Sequence, residues 1–173
     1  MLPVTKYIKS KKFIPVFLAT FFSSFLTGSI AFFSLKGLMG PNYSPFSYYY
    51  RMAMYPDEHP LQYIGVICLS FSVLTTLWIM YIINQKKRIH LQIILLILLS
   101  LLLSCILSGI LYEVHDMQAG YFPSFSRMID VFAEGAITAT IIGPILILVT
   151  IPLNIIGFII AYVIACKAHN IFS

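Results

Sequence analysis

The chain has 173 residues, 60% of them hydrophobic and only 10% charged, with a mean hydropathy of +0.92. Soluble domains carry about 25% charged residues, and a chain this small has too little interior to hide so much apolar surface. A water-soluble globular fold is excluded. The formal net charge of +5 is no nucleic-acid signal either, because the Lys and Arg residues flank apolar runs instead of forming one basic face.

Four apolar runs follow in order: 13–35, 61–83, 91–112 and 137–166. A helix needs about 20 apolar residues to cross the hydrocarbon core of a bilayer, and the first three runs fit that length. The fourth is too long for one upright crossing and too short for two. It reads as a helix that starts in the outer interface and crosses from about Pro144 onward, with a kink at Pro152. The predicted fold is an all-α integral membrane protein, an antiparallel bundle of four transmembrane helices forming a single membrane domain over 1–173.

Orientation follows from the basic residues. Lys6, Lys9, Lys11 and Lys12 precede the first run, Lys86, Lys87 and Arg88 lie in the connection 84–90, and Lys167 follows the last run. Only Lys36, Arg51 and Arg127 fall in the connections 36–60 and 113–136, which also hold every acidic residue. The excess of Lys and Arg marks the cytoplasmic side, so both termini are expected there. Ile/Leu-rich spans, a Lys-rich start and short loops suggest a bacterial plasma membrane. A basic start before an apolar run also suits a cleaved signal peptide, with Ser29 and Ala31 as a small-x-small site; the length of the run favours a retained helix.

Helices associate in lipid through small residues that let backbones approach, helped by interhelical hydrogen bonds. The first run offers Ala19, Ser23, Thr27 and Ala31, with Thr20, Ser24 and Gly28 alongside. The second offers Gly65, Cys68, Ser72 and Thr75 or Thr76, and the third Ser100, Ser104 and Ser108. Cys68, Cys105 and Cys166 show no metal or redox spacing and read as small buried hydrophobes. The two outer connections resemble each other: Tyr43, Pro45, Arg51, Met52 and Glu58 in one, Tyr121, Pro123, Arg127, Met128 and Glu134 in the other. That pattern suggests two pseudo-repeated helical hairpins.

No Asp, Glu, Lys, Arg or His interrupts the apolar runs, which argues against a proton-driven transporter. Chemistry is confined to the outer side. Asp57, Glu58, Asp130 and Glu134 precede helices whose positive ends face outward, where negative charge is favoured. Glu113 and Asp116 stand instead at the negative end of the third helix, with Gly120 as a candidate cap. If that helix continues, His115 lies seven residues beyond Ser108 and points into the bundle mouth. His115, Glu113 and Asp116 are therefore the candidate catalytic groups, His115 as a base polarised by a carboxylate. Glu113, His115, Asp116, Glu58 and His59 are the candidate ligands of a divalent metal. The competing reading is a cluster of surface ion pairs with Arg51 and Arg127.

Phosphate loops, dinucleotide glycine patterns, nucleophile elbows and zinc motifs are all missing. The best functional expectation is a non-enzymatic accessory, regulatory or assembly component acting through its extracytoplasmic loops. Its partners would be the lipid bilayer and a membrane protein or a second copy of itself, with no nucleic acid. Two alternatives stand beside it: an enzyme or metal-binding protein at the outer face, and a small transporter or transporter subunit.

Overall fold

In the computed structural model the described residues, which are 3–39, 58–81, 88–121, 123–149 and 151–172, are almost all helical and include no strand. Helix α1 spans Pro3–Met39, α2 Pro60–Tyr81, α3 Ile89–Gln118, α4 Met128–Val149 and α5 Ile151–Phe172, with a 3-10 turn at Phe125–Arg127 ahead of α4. All five helices are long and apolar enough to cross a membrane. The segment 40–57, with Tyr43, Pro45, Arg51 and Met52 of the expected repeat, lies outside the described residues.

One expectation about the fourth apolar run is corrected. The run 137–166 is two helices, and the first of them continues straight through Pro144. Pro144 therefore does not start a helix. Pro152 falls in the first turn of α5, where the N–H that proline lacks would have had no intrahelical acceptor.

Helix α1 packs on α2, α2 on α3, and α3 on α4, while α5 packs chiefly on α1 and α3. Specific contacts give the register. Gly28 of α1 lies against Ile64 of α2, and the Ser24 and Cys68 side chains share a hydrogen bond. Along α3, Glu113 and Gly109 meet Gly135, and Cys105 meets Gly143. Near the start of α3, His90 meets Tyr162 of α5. Positions rising along α4 and α5 thus match positions falling along α3, so the two last helices run in one direction, antiparallel to it.

The α1–α2 seam buries small residues, but not the stripe that leads in the sequence. Thr20 and Ser24 are buried, whereas Ala19, Ser23 and Thr27 are exposed. On α2, Cys68, Ser72, Thr75 and Thr76 are buried as well. Their hydroxyls do little interhelical bonding. Thr20 donates to the Val16 carbonyl at 2.8 Å, Thr76 to Ser72 at 2.7 Å and Ser100 to Leu96 at 2.7 Å, each within its own helix. A Ser or Thr bonded in this way acts as a compact spacer, whereas the buried Ser72 and Thr75 hydroxyls have no hydrogen-bond partner among the described residues. The main apolar cluster joins Val16, Phe71, Trp78, Ile93, Leu96, Ile97, Ala165 and Ala168 at the end of the bundle where α2 finishes and α3 starts.

The α3–α4 seam is tighter. A side chain added at Gly109 would strike the Gly135 backbone, with the carbonyl carbon at 2.8 Å, and the Ala139 methyl at 2.7 Å. One added at Gly143 would strike the Cys105 sulfur. Gly135, Ala139 and Gly143 recur every fourth residue on α4, and Cys105, Gly109 and Glu113 do so on α3. This is the small-residue packing by which helices gain close van der Waals contact in lipid.

Candidate functional site

The end of α3 that carries His115 is built by a helix that outlasts its apolar part. Its 30 residues rise about 45 Å at 1.5 Å each, while a hydrocarbon core is about 30 Å thick. The turns from Glu113 to Gln118 stand beyond the apolar stretch, which ends at Tyr112. The helix closes with hydrogen bonds from the Gly120 N–H to the Met117 carbonyl and from the Tyr121 N–H to the Asp116 carbonyl. Gly120 takes φ +102°, a left-handed conformation that glycine adopts without the penalty a side chain would incur.

His115 and Glu113 are two residues apart, so a helix turns them about 200° from each other. The structure sends them to different neighbours. His115 is only 3% exposed and its ring enters α2's territory. It stacks on His59 with centroids 4.5 Å apart and planes 27° apart, and on Tyr63 at 5.8 Å and 23°. His59 immediately precedes α2 and Tyr63 lies in its first turn, so the α3 imidazole is held by two rings at the start of α2. Burial pushes His115 below the ordinary histidine value of 6.5. The nearby His59 adds to that, and Glu58 works against it.

Glu113 turns to α4. Its side chain lies over Gly135, where an added Cβ would come within 2.5 Å of its Cγ and 2.9 Å of its Oε1. Glycine at 135 is what gives the carboxyl room. Glu113 is pushed above the ordinary 4.5 by burial first, then by the like charges of Asp116 and Glu134. Asp130 sits in the first turn of α4, a position favourable to an acid.

The structure thus splits the group that the sequence put together. Glu58, His59 and His115 belong to the α2–α3 junction, and Glu113 belongs to the α3–α4 junction, within reach of the charges of Asp116 and Glu134. Among the described residues, no three His, Cys, Asp or Glu side chains are placed to hold one metal ion. Stacking explains part of this: the nitrogen lone pairs of two near-parallel rings lie in their own planes and do not converge on one point.

A second polar cluster, not anticipated from the sequence, lies at the opposite end of the bundle. The Trp78 indole N–H donates to Gln92 Oε1 at 3.0 Å, and His169 packs edge-on against Trp78 at 5.8 Å. His90 Nδ1 and the Tyr162 hydroxyl are 2.5 Å apart. These contacts tie α2, α3 and α5 together where the apolar runs end, with polar tips on aromatic bodies, as suits a membrane boundary. The glycine seam was missed as well, although its four-residue spacing was visible.

No family model matches the chain, and no curated protein or solved structure matches it.

Proposed function

We propose that the chain is a small multi-pass membrane component that works by association, as an accessory, regulatory or assembly subunit acting through its extracytoplasmic face. The observation that carries this reading is helix α4. It is apolar, it packs chiefly on α3, and it leaves Ile129, Ile137, Ile141 and Ile145 exposed. Buried seams of small residues between α1 and α2 and between α3 and α4 fill the interior with packing instead of a polar path. The enzyme reading asks Glu113 and His115 to share one site, and they lie on different faces of α3. The transporter reading asks for a polar route, and the buried hydroxyls of the seams bond mostly within their own helices.

In this reading α4 and α5 form one bent crossing, which makes four crossings in all. Their shared direction along α3 supports it, and so does charge. Eight Lys and Arg residues fall on the side of the two termini and three on the other, the asymmetry that sets both termini in the cytoplasm. Reporter fusions after Lys12 and after Lys167 test the topology: both should read cytoplasmic, and opposite readings would require five crossings. A photo-crosslinking residue at Ile137 or Ile141 tests association in native membranes. A discrete protein adduct is expected; adducts to lipid alone, together with a turnover by the isolated chain, would overturn the reading.

A further inference from the structure

We propose that the ring stack of His59, His115 and Tyr63 is a proton-operated latch: with neutral rings it holds the start of α2 against the end of α3, and acidification on that side of the membrane parts them. The proposal does not depend on which compartment faces this end, nor on the association reading above.

The geometry sets up the device. His115 is buried to 3% exposure, and its ring is held between groups of the neighbouring helix. His59, at the rim, is exposed, so a proton reaches the stack from the aqueous side. Two neutral imidazoles at 4.5 Å attract as stacked rings do. Two imidazolium ions at that distance repel, and a buried cation also loses its hydration. The groups facing His115 from α2 are Glu58, His59 and Tyr63. On α3 itself, Tyr112 and Asp116 flank it, and Glu113 is turned away toward Glu134 and Gly135 of α4. Glu58 is the counter-charge on α2, and its attraction is outweighed by burial and by His59.

The direction of the response follows. His115 holds its proton less tightly in the packed state than in a parted one, where it returns to about 6.5. Above that value the latch carries no penalty. Below it the parted state takes up the proton first, and the parted-to-packed ratio rises by up to about tenfold per pH unit for one proton. The rise levels off once the pH passes the packed-state value.

The test is a distance measurement on the full chain in nanodiscs. Nitroxides are placed at Gln62 and Gln118, both exposed, after the three cysteines are changed to alanine. Pulsed electron resonance is recorded from pH 7.5 to pH 5. A single short distance is expected at pH 7.5, with a longer population growing below pH 6.5. His115→Phe keeps an aromatic ring in the stack without a titrating group and should flatten that growth. If His115→Phe does not fold, His59→Phe at the exposed rim takes its place and should at least halve the growth. An unchanged distance distribution in the otherwise wild-type chain, or undiminished growth in the Phe variant, overturns the proposal.

Discussion

Substituting Gly109 by alanine inserts one methyl group where α3 and α4 nearly touch. The new carbon would lie 2.7 Å from the Ala139 methyl and 2.8 Å from the Gly135 carbonyl carbon. Ordinary carbon contacts lie at about 3.5–4.0 Å, so the helices must separate by roughly 1 Å. Backbone cannot yield as the tip of a flexible side chain can. Overpacking of this kind costs about 1–3 kcal/mol, and the retreat of α4 also forfeits the close contacts along Gly135 and Gly143. Against this, alanine is favoured over glycine inside a helix by about 1 kcal/mol. Gly157→Ala isolates that gain, because a carbon added there meets nothing within 4 Å. Reversible unfolding in mixed detergent micelles, followed by circular dichroism, compares the two. Gly157→Ala should be neutral or slightly stabilising. Gly109→Ala should be less stable than Gly157→Ala by about 1–3 kcal/mol. Equal stability of the two variants would refute the tight α3–α4 seam.

Gly143→Ala should destabilise through its collision with the Cys105 sulfur, and adding Cys105→Ala should recover part of the loss; additive losses in a double-mutant cycle would contradict the contact. Gln92→Leu removes the acceptor of the buried Trp78 N–H and should cost about 1–3 kcal/mol. Since Trp78 is the chain's one tryptophan, its emission should shift too, and unchanged emission and stability would count against the bond. Glu113 holds its proton more tightly when packed against α4. Its contribution is therefore fully present below the ordinary carboxyl value and fades as pH rises through its raised one. Glu113→Gln should remove that fading and be at least as stable as wild type at pH 8 in the same unfolding assay; a marked loss of stability would show that the charged form is the one the site favours.

The apolar runs were legible because crossing a bilayer demands length and composition together, and little else satisfies both. The facing of α1 was not. Residues 19, 23 and 27 and residues 20, 24 and 28 are both small rows at helical spacing, and only the position of α2 decides which row is buried. The two-helix character of 137–166 was hidden because Pro144 and Pro152 are equally plausible interruptions, and the helix accommodates the first. At the outer end, the inward direction of His115 was readable from its seven-residue offset from Ser108. Its partners were not, since His59 and Tyr63 belong to another helix. Glu113 and His115 meet different neighbours for a reason visible in the sequence: residues two apart on a helix do not face each other.

Helix α2 carries the histidine stack at one end and the chain's only indole at the other. From Tyr63 to Trp78 is about 22 Å along the helix, and Ser24 of α1 meets Cys68 a third of the way along it. If the stack parts as proposed and α2 moves as a stiff rod, Trp78 shifts against Gln92 and His169. Its indole emission would then report on the histidine stack from the far end of the helix.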